Sequence, residues 1–290
     1  MHDDDASAPP TESVDTQEIP DKSPLATPAT WDQVSSAYAE SVVPHFGHYA
    51  EDAMRAIERS GRALDGTDVL DVACGPGTLS FLVAPRVRRV AAIDFSMGMI
   101  EALRARARRD RVKNVEAELM DAQTLTFHDG SFDAAFMMFG AMFIPDRSRA
   151  FREIKRVLRP GGRLAITTWT PLENSPLLSG MVVAMRALIP ELPSPALELH
   201  DEASVRAALA DAGFDDVEVQ LVRHAAHFES ADDYWHRMMD ASAPFVPLRR
   251  RFGEERWPAF SHAVLEKVRE NFGHGPLQLD AEAILAVARK

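Results

Sequence analysis

The sequence is short of cysteine: Cys74 stands alone among 290 residues. An internal disulfide needs two thiols, and a zinc or iron–sulfur centre needs a cluster of ligands, so neither is expected and no metal is assigned. Long apolar runs are also missing. The longest, Ala134 to Pro145, falls short of the ~20 residues that a helix needs to cross a bilayer. The start, Met1-His2-Asp3-Asp4-Asp5, has no basic segment followed by an apolar one. It reads as no signal peptide, and a cytoplasmic location without membrane insertion is expected. Cations are the scarcer charge, 32 Lys and Arg against 44 Asp and Glu, for a net charge of -12. Phosphate-binding surfaces need clustered cations, so this total argues against nucleic-acid or anionic-membrane partners. Its distribution is uneven: residues 1–28 carry -6 of it, whereas Arg104 to Arg111 is locally basic.

What is present suffices for a folded enzyme-sized core, since 46% of the residues are hydrophobic. Residues 1–28 hold five prolines and seven acidic residues but few large apolar side chains. Such a stretch cannot bury enough surface to offset ordering and reads as a disordered acidic tail. From Ala29 to Ser60 a helical region sets Trp31, Val34 and Tyr38 on one face. Strands and helices then alternate. Val69–Ala73 is an apolar strand, and a Gly-containing turn leads into a helix through Leu79, Leu82 and Val83. Val90–Ile93 is a second strand ending at Asp94, and Ser96 caps a helix striped by Ile100, Leu103 and Ala107. Val115, Ala117 and Leu119 alternate as a third strand, and Phe132–Met138 is a buried fourth. Asp146 caps a helix with Phe151, Ile154 and Leu158 inward; Pro160-Gly161-Gly162 ends it, before a fifth strand at Leu164–Trp169. Beyond an apolar, Pro-rich excursion at 171–195, a helix at Ala203–Ala212 precedes a strand through Val217, Val219 and Leu221. Two helical segments, near Asp232–Ala241 and Glu254–Phe272, lead to a last strand at Leu279–Ala288. Alternation with short connections predicts an α/β fold with a parallel sheet covered on both faces.

The chemistry concentrates in Val69-Leu70-Asp71-Val72-Ala73-Cys74-Gly75-Pro76-Gly77-Thr78 and in Asp94, nineteen residues beyond Gly75. A Gly-x-Gly turn between strand and helix lets a ligand approach the backbone. An acid at the end of the next strand can accept both hydroxyls of a ribose. A nicotinamide cofactor would fit these features as well as any nucleoside. Two details favour S-adenosylmethionine (SAM). Ser80 stands where a dinucleotide fingerprint wants Gly or Ala, and the Asp71 carboxylate would repel a pyrophosphate but attract an ammonium group. Plainer roles stand beside these: Asp71 as a cap of the following turn, and Asp121 as a surface turn residue.

The segments VLDVACGPGTLS (69–80), AIDFSMGMI (92–100), LMDAQTLTF (119–127), SFDAAFMMFG (131–140) and LRPGGRLAITTW (158–169) occur in a characteristic order and spacing. In these the chain resembles the class I SAM-dependent methyltransferases, of the small-molecule type that includes ubiquinone- and menaquinone-biosynthesis enzymes. The resemblance implies a Rossmann-like, seven-stranded, mostly parallel sheet of order 3-2-1-4-5-7-6 with an antiparallel last strand and a helical lid. It divides the chain into a methyltransferase domain at 29–290, with a SAM-binding core at 29–170 and lid insertions at 171–200 and 230–275. By the same resemblance Asp71, Gly75 and Gly77 line the methionine end of SAM, and Tyr38 closes over its carboxylate. Asp94 holds the ribose, Phe95 and Met99 flank the adenine, Asp121 accepts from its amino group and Ala122 offers backbone. Met138 and Phe139 border the reacting methyl.

The expected reaction moves a methyl group from SAM to a small, largely apolar organic acceptor, oxygen being favoured over carbon. Alignment of donor and acceptor can supply about 7–11 kcal/mol of barrier reduction in such displacements. Phenol, acid or carbanion acceptors can also call on a base, for which His45, His48 and His236 are candidates, although histidines in such places more often serve packing or the surface. Met137, Met138, Met142, Met238 and Met239 read as packing rather than a substrate signature. The fourth strand lacks the Asp/Asn-Pro-Pro-Tyr type of motif of nucleic-acid amino methyltransferases. Phe139-Gly140 is followed by Ala141-Met142-Phe143 and not by the Arg-Asn pair usual in the quinone C-methyltransferases, a departure that counts against a quinone ring. Two rival readings are a nicotinamide-dependent oxidoreductase and a non-catalytic SAM-binding partner protein.

Overall fold

A computed structural model describes residues 24–41, 43–192 and 198–290. The expected acidic tail therefore lies outside the described residues as far as position 23. Its last five positions are structured: Pro24–Ala26 form a 3-10 turn, and helix α1 begins at Pro28.

The helical region expected at 29–60 is two helices, α1 (Pro28–Ser41) and α2 (Val43–Arg59). The two helices serve different surfaces. α2 lays Ala50, Ala53 and Ile57 on the sheet. α1 crosses to another helix, described below.

The strands are β1 (Asp68–Val72), β2 (Arg89–Asp94), β3 (Val115–Leu119), β4 (Phe132–Met138), β5 (Leu158–Trp169), β6 (Asp215–Phe228) and β7 (Leu277–Arg289). They form one sheet of order β3-β2-β1-β4-β5-β7-β6, parallel except that β7 runs antiparallel to both β5 and β6. This is the order that the family resemblance implied. Helices α3 (Thr78–Val83), α4 (Met97–Arg109), α5 (Arg147–Val157) and α7 (Glu202–Asp211) flank it, as do α6 (Pro176–Arg186), α8 (Ala231–Ala241) and α9 (Phe245–Phe272) near the later strands. Side chains alternate across each strand, so β1 sends Leu70 and Val72 into one core and Val69 into the other. The first core holds Phe132, Phe151, Ile154 and Leu209, and the second holds Ile57, Leu79, Val83 and Ile100. No described helix is long and apolar enough to cross a membrane.

Two boundaries differ from the sequence reading. Leu158 opens β5 and does not close α5, and Pro160-Gly161-Gly162 sits inside the strand as a bulge. The bulge needs glycine: Gly161 has φ +75°, and a Cβ on Gly162 would fall 2.9 Å from the Arg159 carbonyl oxygen. In α9, Gly253 breaks the helical path with φ 68°, which explains why the sequence pattern begins only at Glu254.

At the end of the sheet away from the glycine turn, two mostly buried acids are clamped by arginines. Asp68 accepts from Arg88 Nε (2.9 Å) and Arg159 Nη2 (3.0 Å), and Arg88 in particular holds its carboxyl below the usual range. Asp133 accepts from Arg62, Arg159 and the Asp68 backbone N–H, the last at 3.0 Å. Asp133→Ala strips Arg62 of its carboxylate partner and Arg159 of one of its two, and should cost about 2–4 kcal/mol of stability. Urea denaturation measures that loss, and the fold away from this end should be preserved.

Candidate active site

The site is built where β1, β2, β3 and β4 end. β1 runs out at Val72, and the next residues turn through three left-handed positions, Ala73 (φ 53°), Gly75 (φ 53°) and Gly77 (φ 89°). Cys74 N–H donates to the Ile93 carbonyl at 2.9 Å, which pins the turn to β2. Gly75 N–H donates to Asp94 Oδ2, also at 2.9 Å. A Cβ on Gly75 would meet nothing within 4 Å, whereas one on Gly77 would strike Leu103 and Phe81 at 2.9 Å. The two glycines thus do different things. Gly75 leaves open space toward the cavity, and Gly77 lets the turn pack on α4.

Asp94 is the hub. Its Oδ1 accepts the Ser96 N–H at 2.9 Å while Oδ2 holds Gly75, and only 6% of the residue is exposed. Burial raises its pKa to about 6 against the backbone donors that lower it. Ser96 caps α4 by accepting the Met99 N–H and donates its hydroxyl to Asp32 Oδ1 at 2.6 Å. The same oxygen accepts the Gly98 N–H at 2.9 Å. Gly98 lets α1 come this close, since a Cβ there would lie 2.8 Å from Ser35 Oγ and 3.1 Å from the Asp32 backbone. Asp32 thereby staples α1 across the start of α4. Nothing in the sequence pattern marked Asp32 or Gly98, because their partners are remote in the chain.

The stapled α1 roofs a cavity of about 470 Å³ with Trp31 and Tyr38, a volume inside the ~300–1,000 Å³ common for ligand clefts. Nine of the eleven residues expected at the site line it: Tyr38, Gly75, Asp94, Phe95, Met99, Asp121, Ala122, Met138 and Phe139. Tyr38 has its phenol pKa raised by burial and then by the charge of Asp94. Asp121 accepts the backbone and side-chain N–H groups of Gln123 at 2.8 and 3.0 Å, so it shapes a turn and faces the cavity at once. Gln123 passes the connection on by accepting the Asp146 N–H at the cap of α5.

Asp71 and Gly77 are absent from the lining. Asp71 is 1% exposed and accepts the Ser80 hydroxyl at 2.6 Å behind the turn. Burial raises its pKa to about 7. Ser80 therefore has a structural partner that the fingerprint comparison could not reveal.

On the far side, Phe139 (φ 56°) leaves β4 in a left-handed conformation, its N–H donating to Thr167 Oγ1 at 3.1 Å. A Cβ on Gly140 would come within 2.5 Å of the Ala73 Cβ, so the β1 and β4 ends touch backbone to side chain. Strain of order 1–3 kcal/mol at each non-glycine left-handed residue is typical of functional sites. Phe139 stacks on Trp169 at 4.0 Å, and Phe46 of α2 covers both at 5.0 and 5.8 Å. Leu177 and Met181 of α6, Met238 and Met239 of α8, and Val264 of α9 pack around this aromatic layer.

Among the described residues no His, Lys or Arg lines the cavity. His236 is exposed, with its Nδ1 2.7 Å from the Asp232 carbonyl of its own helix. His45 lies 3.1 Å from Arg237, and its pKa is lowered first by burial. His48 stacks on His224, which sits 2.6 Å from Asp52. None of the histidine candidates reaches the cavity.

Such a sheet, with a glycine turn after its first strand and a buried acid after its second, defines a Rossmann-like nucleoside-binding enzyme. A family model described as a methyltransferase domain matches residues 69–162. A demethylmenaquinone methyltransferase of Clavibacter sepedonicus is 36% identical over 174 residues, covering 59% of this chain and 69% of that protein. One of Listeria monocytogenes is 38% identical over 107 residues, covering 36% of this chain and 45% of its own length. The chain thus spans less than half of the Listeria relative. Among solved structures, the [4+2]-cyclase SpnF aligns with a TM-score of 0.60 at 20% identity, over 93% of this chain and 96% of that one. The YcgJ protein of Bacillus subtilis aligns at 0.56 and 19% identity, over 83% and 98%. These two show the fold. The chain belongs to the class I SAM-dependent methyltransferases, in the menaquinone-type group. Its cofactor is SAM, and the nicotinamide reading falls away.

Burial sets a pH dependence for the protein without ligand. Folded Asp71 and Asp94 titrate near about 7 and about 6 instead of 3.8, so the native state keeps protons that the unfolded chain releases. Their contribution to stability is full below about pH 4 and is lost as pH rises through about 7. Asp71→Asn should lose less stability than the wild type between about pH 5 and 8, as read from urea midpoints across that range.

Proposed function

We propose that this cavity holds SAM and that the enzyme methylates a small, largely apolar organic acceptor, preferentially on oxygen. The observation that carries the reading is the lining itself: apolar and aromatic walls, two carboxylates, and no cation among the described residues. A cationic sulfonium cofactor suits such walls. The fit is local as well, since Gly75 leaves open space beside the Asp94 carboxylate.

In this reading Asp94 accepts the ribose hydroxyls while it keeps hold of Gly75 and Ser96. Phe95 and Met99 face the adenine, with Asp121 and Ala122 at its polar edge. Tyr38 closes the end near Gly75, and Asp71 and Gly77 act from behind by holding the turn. Bound SAM supplies an activated methyl group, so the protein has to align, enclose and exclude water. Met138, Phe139 and Gly140 border the acceptor side. Helices α6, α8 and α9, within the insertions at 171–200 and 230–275, form its lid and help define a methyltransferase domain over 29–290. Among the described residues no histidine or lysine lines the cavity, and this favours oxygen acceptors, which can ionise to water, over ring carbons that need a base beside them. The missing Arg-Asn pair after Phe139-Gly140 supports the same preference.

Two experiments test this reading. Incubation with methyl-labelled SAM and a panel of phenols, carboxylic acids and quinols should place label on oxygen. Transfer to ring carbon alone would overturn the preference, and no transfer to any acceptor would favour the non-catalytic partner reading. Calorimetric titration should show SAM affinity rising as pH passes through about 6, because ionised Asp94 is the better hydroxyl acceptor. Asp94→Asn should bind about tenfold more weakly at pH 8 and lose that step.

A further inference from the structure

A second cleft, of about 410 Å³, opens between the C-terminal half of α4 and the edge strand β3, and its lining shares no residue with the cofactor cavity. Its floor is apolar: Leu103, Ala107, Val112, Val115 and Ala117. Its rim is cationic: Arg104, Arg108, Arg111 and Lys113. No carboxylate belongs to the lining among the described residues. Strand alternation turns Glu116 and Glu118 to the opposite face of β3, where Glu116 lies 4.0 Å from Arg89. Asp110, the one acid in the α4 terminus, is engaged by Arg106 at 3.6 Å and Arg109 at 2.9 Å, outside the cleft.

Arg104 is positioned by the fold: its Nε and Nη2 donate to the Ala117 carbonyl on the open sheet edge at 3.1 and 2.7 Å. Arg104 and Arg108 stand four apart on one helix face, a spacing at which like charges repel. Arg108, Arg111 and Lys113 are exposed and form no ion pair with any described acid. Four cations lining one cleft in an otherwise acidic chain match a multiply charged anionic head, and phosphate offers oxygens to several donors at once. The apolar floor matches a hydrocarbon body attached to that head. The floor is recessed: Leu103 lies beneath it with no exposed surface, Ala107, Val112, Val115 and Ala117 are half-buried, and none of the cleft's apolar side chains is among the exposed large hydrophobics. A recess receives one chain, whereas a membrane-inserting face needs protruding apolar residues.

We propose that the α4–β3 cleft binds a single phosphorylated amphiphile, with its phosphate on the Arg104, Arg108, Arg111 and Lys113 rim and its hydrocarbon on the floor. The test is calorimetric titration of the full chain with octyl phosphate below its micelle concentration, beside 1-octanol, inorganic phosphate and phosphatidylglycerol vesicles. Saturable binding of octyl phosphate, with octanol and inorganic phosphate much weaker, is the expected result. Arg108→Gln with Arg111→Gln should lower that affinity about tenfold, as loss of charge-assisted hydrogen bonds does, and leave SAM binding unchanged. Ala107→Leu fills the floor without changing charge and should weaken octyl phosphate binding while inorganic phosphate stays the same. Arg249→Gln with Arg250→Gln, on α9, should change nothing. Unaltered affinity in the Arg108/Arg111 variant overturns the proposal. So does inorganic phosphate binding as tightly as octyl phosphate, which would mark a bare anion site. Binding to vesicles but not to the monomer also overturns it, in favour of a membrane surface.

Discussion

Asp94 accepts backbone N–H groups from two different turns, one leaving β1 and one entering α4, and everything around the cavity is registered to it. Through Gly75 it fixes the loop whose backbone faces the ligand. Through Ser96 it fixes the cap of α4, and through the Ser96–Asp32 contact it reaches α1, the roof. A neutral side chain of similar shape could keep part of this network. Only a carboxylate can keep both turns and still offer acceptor capacity to a ligand hydroxyl, because each ionised oxygen has more than one lone-pair direction. Its burial carries a cost, visible in the raised pKa, and the backbone donors offset part of it.

The remaining precision of the site comes from close approaches that only small residues permit. Gly98 admits α1 to the start of α4, Gly77 admits Leu103 and Phe81 to the turn, and Gly140 admits Ala73. Each contact brings one strand end or helix against another without an intervening side chain. Ala73 and Phe139 are held in left-handed backbone on either side of this seam, and the ladder of the sheet and the Phe46–Phe139–Trp169 stack hold them there. Rigid strand ends carry the glycine turn and Asp94, while the side of the cavity at Phe139 is backed by packed aromatic and methionine side chains that can rearrange more easily.

Much of this was legible in the chain. The buried strands at 69–73, 90–93 and 132–138 announce themselves as short apolar runs, and Ser96 and Asp146 act as the caps their positions suggest. Local chemistry was enough there, because period and capping are properties of neighbouring residues. It was not enough at Leu158, where helix and strand compete and the surrounding packing chooses. Nor could it rank the acids. Asp71 and Asp94 both sit at strand ends in the sequence, yet Asp71 turns behind the glycine loop to Ser80 and Asp94 turns to the cavity.

The sequence by itself determined the alternation of strands and helices, the glycine turn, the acid of β2 and the family resemblance, which in turn implied the strand order, because each motif is carried by residues close together or spaced by whole elements. Its overall charge was a poor guide to surfaces, since a single total averages the acidic first 28 residues with the cationic stretch from Arg104 to Lys113. Only the tertiary structure decided that this stretch borders an apolar cleft, that α1 is stapled over the cavity by Asp32, and that the candidate bases His45, His48 and His236 lie outside it. These contacts join separate helices and strands, from about a dozen residues apart at the cleft to more than sixty between Asp32 and Ser96, and their geometry depends on those elements packing as rigid bodies, which no local pattern encodes.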